Sequence, residues 1–197
     1  MTVSEAPADT AARGRTRRAI LDAAAAVLAR HRGAALADIA EVAEVGRTTL
    51  HRYFPDREAL VTAVVEDSWR AIQQAVRDAA IDQGPAAEAM RRLVSAMVDA
   101  GDRLLFLFGD PRTPDRAMST DPPTPPQDPI LDLIRRGQTD GAFDSGVSAE
   151  WIRNVVWGLV YAGCEAARDG LLPRHGVTAT VIRTLQNGIR PHQDRPA

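Results

Sequence analysis

Apolar residues along this chain recur at every third or fourth position, and no stretch of useful length alternates apolar with polar residues. The pattern predicts an all-α protein. Residues 1–13 read as a flexible basic arm. From Thr16, read as an N-cap, Ile20, Ala24, Val27, Leu28 and His31 return on one helical face, and "HRG" closes the helix with basic side chains and a glycine. A short second helix carries Leu36, Ile39, Ala40 and Ala43 on one side. After a tight connection, Arg47 to Tyr53 makes a third short helix, which Pro55 ends. Asp56 caps a fourth helix, running through Leu60, Val64, Ala71, Ile72 and Ala75 to about Ala80.

Gly84-Pro85 marks the next turn. A fifth helix is predicted over roughly 86–108, with Met90, Leu93, Val94, Met97, Leu104 and Leu105 as apolar members. Residues 109–129 hold seven of the thirteen prolines. Proline lacks an N–H and clashes with the preceding turn, so this stretch reads as a long loop. Helices resume at about 129–137, 148–170 and 177–189, separated by "DGAFDSG" and "DGLLPRHG". Residues 191–197 read as a disordered tail.

Charge adds an asymmetry that net charge hides. Residues 11–57 hold nine Arg against five acidic residues, and residues 58–197 hold fifteen Arg against nineteen. A basic N-terminal module on an acidic body suggests a polyanion at one end, although chance fluctuation in a charge-rich chain gives the same pattern. A single cysteine, Cys164, forbids an intramolecular disulfide framework and fits a reducing compartment. The most apolar stretch, "VVWGLVYAGC", is far short of the roughly 18 to 20 residues that span a bilayer. A soluble, cytoplasmic protein without membrane attachment is expected.

Two short amphipathic helices joined by about three residues suggest a helix-turn-helix, whose second helix enters the DNA major groove. The stretch "GRTTLHRYFPDREAL", residues 46–60, fits that role. Leu50 faces inward with Ile39, Ala40 and Ala43. Arg47, Thr48, His51 and Arg52 face outward, with Thr49 on the border. Arg can bond guanine in bidentate fashion, and Thr offers a hydroxyl or a methyl to a base edge. Arg57 lies in the first turn of the next helix, where free N–H groups also favour a phosphate.

The residues "IAEVAEVGRTTLHRYFPDREAL" resemble the DNA-binding signature of the TetR family of bacterial transcriptional repressors, and "TRRAILDAAAAVLARHRG" resembles that family's first helix. The resemblance covers about residues 14–65. It implies an N-terminal three-helix DNA-binding domain at 14–58 and a helical ligand-binding and dimerisation domain at 59–190. It implies a homodimer that represses from a pseudo-palindromic operator until a small-molecule effector releases it, with no cofactor. By position, Arg47, Thr48 and Thr49 fall where the family contacts bases. His51 takes a slot usually held by Tyr, and Tyr53 and Arg57 fall at phosphate-contacting places. The 148–170 and 177–189 helices would form the dimer seam, with Gly158, Ala162, Gly163 and Ala166 as a small-residue face. Three residues depart from the pattern. Glu44 replaces the turn glycine, where a positive φ would cost about 1 kcal/mol. Gly46 and Ala35 replace capping Ser or Thr residues.

Plainer readings stand beside these. Arg47, Thr48 and Thr49 could form a solvated helix face, His51 could shield the turn, and Arg52 could pair with Glu41 or Asp56. Phe54 belongs to the core, and Tyr53 should combine a buried ring with an exposed hydroxyl. Arg13, Arg15, Arg17 and Arg18 could reach DNA or lie in a disordered arm. In the body, Met97, Phe106, Trp157, Tyr161 and Cys164 are candidates to line an effector pocket, with ordinary core packing as the alternative for each. No metal-spacing cluster, phosphate-binding loop, nucleophile elbow or HExxH motif is present, so an enzyme is not expected. The remaining alternative is an all-helical small-molecule carrier or enzyme without DNA binding.

Overall fold

The computed structural model describes residues 6–109 and 128–189. Among them are nine α-helices, one 3-10 turn and no strand. In chain order they are α1 (Ala6–Arg30), α2 (Leu36–Val42), α3 (Arg47–Tyr53), α4 (Arg57–Asp78), α5 (Ala86–Asp99), α6 (Gly101–Phe108), α7 (Pro129–Thr139), α8 (Ala149–Arg168) and α9 (Val177–Gly188), with the 3-10 turn at Arg174–Gly176. Helix starts follow local chemistry. Asp56 Oδ1 accepts from the Ala59 N–H at 2.8 Å, and Ser148 Oγ accepts from the Trp151 N–H at 3.1 Å. Asp128 caps α7 by accepting from Ile130 and Leu131, with Pro129 in the first position, where its missing N–H costs nothing.

Three expectations change. Residues 6–13, expected in the flexible arm, belong to α1. Their alanines are the best helix formers and Pro7 falls in the first turn, where proline is tolerated. Thr16 is consequently not an N-cap but an interior residue, its hydroxyl donating to the Ala12 carbonyl at 3.1 Å. The helix expected over 86–108 breaks at Ala100 into α5 and α6. α5 is amphipathic, and α6 buries Leu104, Leu105, Phe106 and Leu107 in succession while Phe108 stays exposed. Gly101 at the break admits Cys164 so closely that a Cβ there would lie 2.8 Å from its Sγ. Residues 1–5, residues 110–127 of the proline-rich loop, and the expected tail at 191–197 lie outside the described residues.

α1, α2 and α3 form a small head, and α4 leads from it into the body of α5 to α9. The boundary drawn between 58 and 59 falls inside the first turn of α4. Buried residues of head and body make one continuous apolar cluster. Arg103 of α6 ties the two together, since its guanidinium bonds Asp67 of α4 at 2.6 Å and Asp22 of α1. At the far end of α4, Arg92 donates to the carbonyls of Ala79, Ala80 and Gln83, and Arg136 donates to those of Ile81 and Asp82. These two side chains bond the C-cap carbonyl of α4 and carbonyls of the turn that follows it.

Candidate nucleic-acid interface and ligand cleft

The turn between α2 and α3 is built by backbone hydrogen bonds. The Val45 N–H reaches the Ala40 carbonyl at 2.9 Å and the Glu44 N–H reaches that of Glu41 at 3.0 Å. This pairing is the Schellman motif, whose penultimate position requires a left-handed residue. Glu44 fills it with φ +54°, although the position usually holds glycine. Gly46 is then the N-cap of α3, extended at φ −67°, with no side chain to bond the first turn. α2 begins at Leu36 without a capping hydroxyl, but Asp38 Oδ2 reaches back to accept from the Ala35 N–H at 2.8 Å. That is half of a capping box.

The turn orients α3. Leu50 is 1% exposed and anchors the inner side, whereas Arg47, Thr48, His51 and Arg52 are exposed and Thr49 is half-buried. The Arg52 guanidinium lies 5.7 Å from the Tyr53 ring centre rather than on Glu41 or Asp56. Tyr53 is half-buried and its hydroxyl donates to the Arg13 carbonyl at 3.3 Å, fastening the end of α3 to α1. Phe54 is buried beneath Arg17, whose guanidinium sits 5.6 Å from the ring centre. Arg13, Arg15, Arg17 and Arg18 all stand on helical α1, not in an arm. His51 Nδ1 is 3.3 Å from the Pro55 carbonyl oxygen.

Arg57 departs from expectation. Its side chain is half-buried and folds back from α4, donating to the carbonyls of Arg32 and Ala34 in the α1–α2 connection. Those carbonyls follow the last turn of α1, where backbone acceptors lack helical partners. A guanidinium so engaged is a clasp within the head, not a group held out beside α3. Arg32 was missed by sequence reasoning. It donates to the carbonyls of Leu105 and Phe106 at the end of α6, and its guanidinium lies 5.6 Å from the Phe106 ring centre. No local signal marks a partner so far along the chain.

The candidate pocket residues separate. Met97 and Phe106 are 1% and 2% exposed and are packed in the core. Cys164 lines a cleft of about 230 Å³ with Val98, Asp102, Leu105 and Arg168. Burial, and then the Asp102 carboxylate, push its thiol up to about 11. Trp157 and Tyr161 come together with Leu104, Phe108 and Gly158 around an almost wholly apolar cleft of about 250 Å³ between α6 and α8. Phe108 meets Trp69 edge-on and Trp157 at a tilt, each at 5.7 Å between ring centres. Trp69 Nε1 is buried beside this stack and finds no acceptor among the described residues. The expected small-residue face also divides. Gly163 is buried against Val177 and Val181 of α9, whereas Gly158 and Ala162 are exposed. Among the described residues, no cluster of His, Cys, Asp and Glu could hold a metal ion, and no helix is long and apolar enough to cross a membrane.

Residues 20–64 match the profile of bacterial regulatory proteins of the tetR family. The HTH-type transcriptional repressor LfrR of Mycolicibacterium smegmatis is 39% identical over 185 residues, covering 92% of this chain and 94% of the relative. The crystal structure of the TetR-like regulator LfrR from Mycobacterium smegmatis superposes with a TM-score of 0.70 at 38% identity, over 91% of this chain and 98% of that one. The same regulator in complex with proflavine gives 0.67 at 37% identity, over 92% and 99%.

Proposed function

Because this chain belongs to the tetR family of bacterial regulatory proteins, we propose that it is a transcriptional repressor that holds operator DNA through α3 and releases it when a small molecule enters the body. The family is one of regulators, and the chain is not an enzyme. The observation that carries the reading is the outer side of α3. Arg47, Thr48, His51 and Arg52 are exposed together on a helix fixed from beneath by Leu50 and at its end by Tyr53. Donors and hydroxyls exposed together on one side of a helix suit base edges and phosphates. Arg47, Thr48 and Thr49 meet bases, His51 meets an edge, and Arg52 and Tyr53 meet backbone. Arg57 acts indirectly, by holding the head together.

Residues 14–58 are the DNA-binding unit and 59–190 the effector-binding and dimerisation unit. Two copies pair through α8 and α9, and their two α3 helices read the half-sites of a pseudo-palindrome in the cytoplasm. The effector enters the cleft between α6 and α8. The Trp69–Phe108–Trp157 stack suits a flat aromatic molecule, the class to which proflavine belongs. A ligand that displaces α6 pulls on Arg32 in the α1–α2 connection, and the Arg32 carbonyl is itself held by Arg57 at the start of α4. Movement of α6 therefore reaches the α1–α2 connection within the head and the start of α4 that joins head to body.

A salt titration of duplex binding tests the proposal. Phosphate contacts release counterions, so affinity must fall steeply as salt rises, and Arg47→Ala must narrow the gap between operator and random duplex. Absence of duplex binding at low salt, or binding indifferent to Arg47→Ala, would overturn it.

A further inference from the structure

His51 Nδ1 lies 3.3 Å from the Pro55 carbonyl oxygen, and a carbonyl can only accept. For this contact to be a hydrogen bond, Nδ1 must carry the proton. In the neutral ring Nε2 is then left with a lone pair and no proton, so it presents an acceptor. The carbonyl that imposes this is well fixed. Pro55 stands between Phe54, which is buried, and Asp56, whose carboxylate caps α4. His51 itself is exposed on the same side of α3 as Arg47 and Thr48.

The neighbours on that side make the acceptor distinctive. Arg47 and Arg52 can only donate, and a Thr48 hydroxyl does either. Major-groove acceptors, guanine N7 and O6, adenine N7 and thymine O4, are suited to the arginines and the threonine. The groove's donors are the exocyclic amino groups, adenine N6 and cytosine N4. We propose that His51 determines specificity at one position of each half-site by accepting a hydrogen bond from such an amino group. Its tautomer is set for that task by the Pro55 carbonyl. The inference rests on the DNA-binding reading above and deepens it. A tyrosine hydroxyl in the same place could donate as well as accept and would not impose this restriction.

The test uses the full chain at about pH 8. Duplexes are first selected from a random pool by the wild-type protein. Each amino-bearing base of the selected half-site is then replaced by an amino-free analogue, purine for adenine or pyrimidin-2-one for cytosine. Affinities are measured for wild type and for His51→Phe, which keeps a ring of similar size on an exposed position. One position is expected at which the wild type loses roughly three- to tenfold on removal of the amino group while His51→Phe loses nothing further. Unaltered thermal melting of His51→Phe separates this from a structural role. Equal losses by both proteins at every position would overturn the inference and leave the repressor reading standing. Failure of the wild type to enrich any duplex would remove both.

Discussion

Replacing Glu44 with glycine isolates a strain that this chain carries in its DNA-binding turn. Glu44 holds φ +54° because the Schellman pairing of Val45 with Ala40 requires a left-handed residue one position earlier. A side chain there costs about 1–2 kcal/mol through the clash of Cβ with the following carbonyl. Glycine removes the clash but adds about 0.4–1 kcal/mol of unfolded-state freedom. Glu44→Gly should therefore stabilise the protein by about 0.5–1 kcal/mol, a rise of about 1–4 °C in melting temperature for a chain of this size. Glu44→Ala is the control, since it removes the carboxylate and retains the Cβ. Urea titrations of both variants separate strain from charge, because only glycine should raise the midpoint. Both should bind DNA more tightly than wild type, having lost a negative charge next to the recognition helix. A glycine variant no more stable than the alanine variant would refute the assignment of strain to this residue.

Arg57→Ala should lower the stability of the head by about 1–3 kcal/mol, through loss of charged hydrogen bonds to the Arg32 and Ala34 carbonyls. The slope of DNA affinity against salt should stay unchanged in that variant, and a slope smaller by about one would make the residue a phosphate contact after all. Ala35→Ser should complete the capping box that Asp38 already half forms and raise the urea midpoint by the equivalent of about 0.5–1 kcal/mol; an unchanged midpoint would count against it. Cys164, with its thiol pushed up to about 11, should be less ionised than a free thiol at every pH below that value. Iodoacetamide should accordingly modify the native protein slowly at about pH 8 and the urea-unfolded protein quickly, with the native rate climbing as pH approaches 11. Native and unfolded rates that match would contradict the buried setting.

Sequence by itself determined what is local in this protein. Helical periodicity, Pro55, Asp56 and Gly84-Pro85 placed most helices and turned Leu50 inward and Arg47, Thr48, His51 and Arg52 outward. Side-chain period and capping chemistry act over three or four residues, within reach of a reader of the chain. The left-handed backbone of Glu44 is what the family resemblance implies, since glycine usually stands there, and the structure gives it φ +54°. Tertiary structure decided where long side chains go. Arg57 reaches back 23 and 25 residues, and Arg32 reaches forward 74. An arginine's rotamers span many directions, and only the carbonyls left open by other elements choose among them. The cleft was decided in the same way. Met97, Phe106, Trp157 and Tyr161 have the same apolar character in sequence, yet the first two are enclosed in the core and the last two line a gap between helices. A gap is a property of how helices meet, and no helix carries it alone.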